Sequence, residues 1–516
     1  MPDSAAADKR PSRPDDGLSA LSNKPTARRP KVLAWALWDW GTQPFYTVIT
    51  TFVFSVYITT PAYFSSDPAD GNGPALALSV ATTIAGVIVA LIAPVLGSAA
   101  ERGGHLVRHM RWLTWALGCA SMALVLIAPQ PRFLVLGLII LGLGSIIGEI
   151  GGSFYNATID QVASKRDVGR VSGFGWGMGY VGGIIVLLLI LFLFIQPEVG
   201  LFGLTDTPSK IRASMVLCGA WILLFTIPAL LVLNDRPAKT QPQQDSGGPG
   251  RLWRHLWRGD GAERLGVVGS YRHLFASIAN LWRSRRDIAR FMIAAAIYRD
   301  GLAAVFAFGA VIAAQSFGFS TTEIILFGAA ANLLAGVVTI LFGLVDDWLG
   351  PRRVILFCLA VLSIGAIIVF ALHQPGYATP AQLCDDAGVC TANPDYNAAL
   401  VAQGKTIFWV FGLILSCLCG PAQAASRSLL ARLIPQGQVG ELFGLYTTTG
   451  RVISFLSPAL FGVAVALGAS VSGQGSTQHW GLLAIALILA VGWLLLWRWR
   501  SPLRLEESRS STAMNI

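Results

Sequence analysis

Twelve predominantly apolar stretches, each long enough to cross a bilayer as a helix, follow one another along this 516-residue chain. A spanning helix needs roughly 20 apolar residues. The stretches run over 33–60, 75–98, 110–128, 133–155, 171–195, 213–233, 289–316, 323–345, 353–373, 404–424, 441–468 and 480–498, and are numbered here as spans 1 to 12. Only 13% of residues are charged, against about 25% in soluble globular chains. Lipid offers no partner for a free backbone amide, so such stretches must close their own hydrogen bonds as helices. An all-α membrane protein is the expectation. Span 1 resembles no cleavable signal, being long and lacking a small-residue cleavage site after a short apolar core.

The net charge of +10 is distributed by topology. Lys and Arg gather before span 1 (Lys9 to Lys31) and in 101–111, 164–170, 234–290, 352–353, 427–432 and the C-terminal tail. The alternate connections 61–74, 317–322, 374–403 and 469–479 contain none, and the two others on that side carry only Arg132, and Lys210 with Arg212. Such alternation predicts an even number of crossings with both termini in the cytoplasm. It also argues against nucleic acid as the reason for the basic charge.

A turn of the form Gly-x-x-x-acid-x-x-Gly occurs after span 2 and again after span 8. The first holds Gly97, Glu101, Arg102 and Gly104; the second holds Gly343, Asp346, Asp347 and Gly350, with Arg352 and Arg353 following. Corresponding positions lie 246 residues apart throughout (97 and 343, 101 and 347, 104 and 350). A second repeat opens spans 5 and 11: Gly169 and Gly173 correspond to Gly440 and Gly444. Two ordered repeats predict one bundle duplicated in tandem, the plan of many secondary transporters. The predicted divisions are a cytoplasmic tail over 1–32, a six-helix bundle over 33–233, a linker over 234–288, a second bundle over 289–498 and a tail over 499–516. Within the linker, Tyr271, Leu274, Phe275, Ile278, Leu281 and Trp282 fall at helical spacing among arginines, which predicts a basic amphipathic helix on the membrane surface.

Glycines at 144, 148 and 152 in span 4, and at 175, 179 and 183 in span 5, form ladders that allow close helix approach. Of seven cysteines, Cys384 and Cys390 share the external connection 374–403, where a local disulfide is plausible and two free thiols are the alternative. No Cys/His spacing matches a metal site. No cofactor is expected.

Four stretches carry a family resemblance. They are Ala36 to Trp40 in span 1, Ser172 to Gly183 in span 5, Tyr298 to Gly301 in span 7, and Ser426 to Pro435 continuing through Phe443 to Tyr446. With the acid turns, they resemble the major facilitator superfamily, and within it the vacuole-effluxer-like branch. The resemblance implies twelve helices in two pseudo-symmetric six-helix bundles, a monomer in a bacterial inner membrane, and movement of an amino acid or similar metabolite, efflux and proton coupling included. It also implies that spans 1, 4, 7 and 10 line the cavity, with 5 and 11 beside it, and that Gly97, Glu101, Arg102, Gly104, Gly343, Asp347, Gly350 and Arg427 act in gating at the cytoplasmic face. The chain departs from the branch at Gly41 to Pro44, where a small polar pair is usual, and at Arg299, where Asn is expected.

Five ionisable residues lie inside apolar spans: Asp39, Glu149, Arg299, Asp300 and Arg451. Each would cost roughly 2.5–3.5 kcal/mol at the bilayer centre, so they should face a polar cavity or one another. Asp39, Gln43 and Tyr46 share one helix face, and Pro44 should weaken that helix by removing a backbone donor. Asp39 and Asp300 are candidates to hold an amine or a proton, Arg451 a carboxylate, and Glu149 a coupling proton; Trp176 lies in the span-5 stretch. Structural salt bridges among these groups are the alternative. A membrane enzyme would need a catalytic constellation, yet the six histidines all fall in loops or at span ends. A sensor or scaffold would show a sizeable folded tail, which the short termini do not offer. The pattern favours a transporter.

Overall fold

A computed structural model describes residues 28–65, 73–235, 279, 281–283, 285–379, 382–384, 390–394, 396–434, 438–472 and 477–499. The N-terminal tail to residue 27, the C-terminal tail beyond 499 and most of the expected amphipathic helix lie outside the described residues. Ten described helices are long and apolar enough to cross a membrane. They are Leu76–Gly97, Pro131–Gln161, Val168–Ile195, Thr207–Val232, Arg286–Phe317, Leu326–Leu349, Pro351–Leu372, Ala398–Leu433, Val439–Val471 and Gln478–Arg498, matching spans 2, 4 to 6 and 7 to 12. Spans 1 and 3 are helical as well, each with a local reason for standing apart. Span 3 is an 18-residue helix, Leu106–Ala123, with Arg108 and Arg111 in its first turns.

Span 1 is α-helical over Arg29–Pro44, widens into a π-helix over Phe45–Phe52 and resumes as Phe54–Ile58. Pro44 has no N–H to offer the carbonyl of Trp40, so the regular ladder stops there. That carbonyl accepts from the Trp221 indole N–H instead, at 3.4 Å. In the widened segment the Thr50 and Thr51 hydroxyls both donate to the Tyr46 carbonyl, at 2.7 and 2.8 Å. The freed carbonyls are therefore satisfied inside the protein.

Helix ends are set by local chemistry. The Asp206 carboxylate accepts from the Ser209 amide at the start of span 6 (2.9 Å), and Ser320 and Glu323 form a reciprocal capping box at the start of span 8. Both acid turns place their last glycine at positive φ, Gly104 at 69° and Gly350 at 87°. A side chain there would strain the backbone, so these glycines fix the reversal between spans 2 and 3 and between spans 8 and 9. In the connection 374–403, β1 (Gln382–Cys384) pairs antiparallel with β2 (Cys390–Ala392), and Cys384 stands directly opposite Cys390. The side chains of both cysteines lie outside the described residues.

The outer surface is apolar. Leu76, Val80, Ile84, Val87 and Leu91, at helical spacing on span 2, are each more than half exposed. In a water-soluble fold that stripe would seek a partner; here it meets lipid. The glycine ladders do the opposite and draw span 1 inward. Gly144 faces Phe45, Gly148 faces Tyr46, Gly175 faces Trp35, and Gly183 faces Gln43 and Thr47. The halves meet through glycines too. A Cβ at Gly97 would lie 2.5 Å from the Gly440 carbonyl oxygen, and one at Gly173 would lie 2.7 Å from that of Thr339. The face on which these approaches lie carries the Lys- and Arg-rich connections and is called the basic face below.

Candidate translocation site between the halves

Asp347, in the second acid turn, reaches across to the other half. Its carboxylate accepts from the backbone amides of Gly169 (2.8 Å) and Arg170 (3.0 Å), and from Arg170 Nε (3.1 Å). Gly169 and Arg170 begin span 5, so a carboxylate of one half caps a helix of the other, where its charge meets the positive end of the helix dipole. Arg432 Nη2 lies 3.0 Å from the other side of the same carboxylate. Beside it, Ser428 donates to Asp346 at 2.5 Å. In the first acid turn the backbone of span 2 runs to Arg102, but the side chains of Glu101 and Arg102 lie outside the described residues.

Arg427 is buried inside the protein, 3% exposed, although its sequence position places it toward the face. It is held by span 10, where Ala422, Ala424, Ala425 and Ser426 leave room for close packing. The guanidinium leaves its own half entirely. Nε donates to Ser172 Oγ at 2.9 Å and Nη2 to the Ser172 carbonyl at 2.6 Å. Nη1 donates to Asn156 Oδ1 at 3.0 Å and to Asp39 Oδ2 at 3.3 Å. Aromatic faces complete the enclosure, with the guanidinium carbon 5.0 Å from the Trp35 ring and 5.8 Å from those of Tyr155 and Trp176. Trp35 and Trp38 both stack on Tyr155, at 4.5 and 4.3 Å. A planar, permanently charged group with five donors suits such a box better than an ammonium would.

A second bridge lies nearer the middle of span 4. Arg451 of span 11 pairs with Glu149, and both side chains keep partial exposure, 36% and 25%. Span 11 breaks two residues after Arg451, between Val439–Ile453 and Leu456–Ser472. Pro458 explains the break: in a continuous helix its ring would clash with the Ser454 carbonyl, and it has no amide to offer it. Each side of the break has its complementary charge. Arg451 sits at the C-terminal end of the first piece. The Asp300 carboxylate accepts from the Ser457 amide (2.7 Å) and hydroxyl (3.0 Å) at the start of the second.

The remaining expected residues fall around these bridges. Gln43 donates to Thr47 at 3.4 Å, and a Cβ at Gly148 would lie 2.8 Å from the Tyr46 hydroxyl oxygen. The Trp176 indole N–H is buried with no partner among the described residues. Arg299 Nη1 donates to the Tyr446 carbonyl at 3.2 Å, and its guanidinium carbon lies 4.1 Å from the Tyr446 ring centroid. The structure thus joins Asp39 to Arg427 and Glu149 to Arg451, but it does not join Asp39 to Asp300, since each has other partners. Sequence reasoning missed Ser172, Asn156, Tyr155 and Arg170. Ser172 and Arg170 lie within or beside the quoted span-5 stretch and Tyr155 and Asn156 at the end of span 4, but nothing in their spacing says which distant side chain they meet.

Comparison with known proteins decides the family. A family model described as "Vacuole effluxer Atg22 like" matches residues 76–499. The chain belongs to the Atg22-like vacuole effluxer family. The MFS-type transporter YxiO of Bacillus subtilis is 24% identical to this Atg22-like chain over 459 residues, covering 88% of the chain and 92% of the relative. Autophagy-related protein 22-1 of Neosartorya fischeri is 25% identical over 297 residues, covering 57% of the chain and 43% of the fungal protein. Among solved structures, the proton:xylose symporter XylE aligns with TM-score 0.63 at 11% identity, covering 91% of this chain and 95% of that one. A bacterial homologue of the iron transporter ferroportin, in an outward-facing state, aligns with TM-score 0.57 at 14% identity, covering 91% and 98%. At such identities the structures establish the fold, which is the major facilitator fold. This Atg22-like protein is a multi-pass membrane transporter of that type.

Proposed function

We propose that this protein moves a small polar solute, an amino acid or similar metabolite, by rocking its two halves about the charged bridges between them. The observation that carries this reading is the Glu149–Arg451 pair, which joins the halves inside the membrane while both groups keep partial exposure. Opposite charges that face each other across a seam can exchange partners with a zwitterion. The solute ammonium replaces Arg451 at Glu149, and the solute carboxylate replaces Glu149 at Arg451. Glu149, as the acid of this pair, is our candidate for the group that couples transport to a proton gradient. The charge alternation supports a cytoplasmic basic face and cytoplasmic termini.

The test is uptake into proteoliposomes of a panel of labelled amino acids, with and without an imposed pH gradient, by wild type and Glu149→Gln. The reading expects gradient-driven accumulation of at least one member and its loss in the variant. Accumulation by Glu149→Gln at the wild-type rate would remove Glu149 from the mechanism, and no accumulation of any member would remove the amino-acid class.

A further inference from the structure

The second bundle encloses a cavity of about 40 Å³, walled by spans 7 to 10 and by span 12. Glycines leave this space open. A Cβ built on Gly309 of span 7 would meet nothing within 4 Å. Gly309 and Val305, one turn before it, keep partial exposure, so the cavity opens on that side. On span 10, Gly412 lets the Phe327 ring approach to 2.8 Å from where its own Cβ would stand. The rings of Phe327 and Phe408, 5.2 Å apart, complete that wall. Ser416 is the single polar side chain among the lining residues. It is 6% exposed, and its hydroxyl has no hydrogen-bond partner among the described residues. A serine inside a helix commonly returns its hydroxyl to the carbonyl four residues earlier, as Ser426 does to Ala422 at 2.9 Å. Ser416 leaves that bond unmade.

A buried hydroxyl without a partner costs free energy until something bonds it. Water is a poor answer. An ordered water takes about 10–15 Å³, so about three would fit, but each needs two to four polar partners. One hydroxyl among apolar side chains does not supply them. A purely apolar occupant fills the space and leaves Ser416 unmet. We infer that this cavity is a binding site for a small amphiphile, a short alkyl chain bearing one hydroxyl, as in an alcohol of three or four carbons. The alkyl part gains by leaving water for the apolar walls, and the hydroxyl bonds Ser416. Such a molecule dissolves in the bilayer and enters at Val305 and Gly309. Spans 7 and 10 also carry Asp300 and Arg427, so an occupant bears on two helices that hold charged groups of the seam. The site is separate from those bridges and independent of which solute is moved.

The experiment photolabels the full chain in lipid bilayers with 3-azibutanol, a diazirine alcohol, and maps the labelled residues by mass spectrometry. Expected is saturable labelling of spans 7 and 10 around Gly309 and Ser416. It should be competed by 1-butanol more strongly than by n-pentane, which has the same shape without the hydroxyl. Gly309→Leu places its Cβ in open space and removes a helix-weakening glycine, so it should fold and lose the saturable labelling. Ser416→Ala should keep the site but weaken competition by 1-butanol about fivefold, the loss of one hydrogen bond, with n-pentane unaffected. The inference is overturned if labelling does not saturate or if it persists in folded Gly309→Leu. It is equally overturned if n-pentane competes as well as 1-butanol, the mark of a site that takes a lipid chain. Should Gly309→Leu fail to fold, Ser416→Ala decides: competition by 1-butanol equal to that in wild type overturns the assignment.

Discussion

Arg427 lies 3.3 Å from Asp39, a residue 388 positions away in the other half of the protein. The pair connects span 10 to span 1 through a side chain that is almost wholly buried, so it cannot persist if the halves separate at that level. Removing one partner of a buried pair costs about 3–5 kcal/mol, because the other charge is left without compensation. Arg427→Met should therefore lower the melting temperature markedly. Asp39→Asn, which leaves Asn156 and both Ser172 contacts in place, should cost less. Equal losses from the two variants would show that the Asp39 contact dominates the site, contrary to the geometry.

Gly97 approaches Gly440 so closely that no side chain fits between them. Gly97→Leu should leave each bundle folded but prevent the halves from closing on the basic face. Cysteines introduced near the seam should then label more readily from that face, and uptake should fall by an order of magnitude or more. Wild-type labelling and transport in this variant would mean that closure there is not part of the cycle.

Asp300 serves here as the cap of a broken helix. Asp300→Ala should cost roughly 0.5–2 kcal/mol, the usual effect of losing a cap, whereas Asp300→Asn should cost much less because an amide oxygen can still accept from Ser457. Thermal melts of the two variants compare directly. A loss for Asn as large as that for Ala would point to a need for the charge itself.

Glu323 is bound by Lys405 at 2.9 Å, and this contact, with the capping box at Ser320, holds its carboxyl below the ordinary range. A depressed value in the folded state means that the stabilisation is complete above the unfolded value of about 4.3 and is lost as pH falls through the folded one. Glu323→Gln should destabilise the protein by about 0.5–1 kcal/mol at neutral pH and by nothing measurable in strong acid. Melts of both proteins at the two pH values test this.

The register of β1 and β2 sets Cys384 opposite Cys390, which suits a disulfide across the connection. Thiol titration of the unreduced, denatured protein should find the five cysteines of the spans and no others. Seven reactive thiols would show that this pair is free.

Much of the architecture was legible because it follows from solvent. Apolar length and the two repeats specify the spans and their duplication without reference to any contact. The break in span 1 was legible from Pro44, and that in span 11 had an equal signal in Pro458, which passes easily for part of a helix start. The partners of the buried charges were not legible. Asp39, Asp300 and Arg451 announce themselves by being charged in lipid, but which group neutralises each depends on helix rotation and tilt. Arg427 was placed at the face because its span ends nearby; its long side chain carries the charge inward, across the seam.

The central claim is that contacts on the basic face and the Arg427 bridge hold the halves together there and must release for transport. Nitroxide labels at Arg166→Cys and Arg353→Cys, one in each half, in a protein otherwise free of reactive thiols, report that separation by pulsed electron resonance. The account predicts one short distance in the wild-type background and a shift of population to a longer one when Arg427 is replaced by Gln. An identical distance distribution in the two proteins would contradict it.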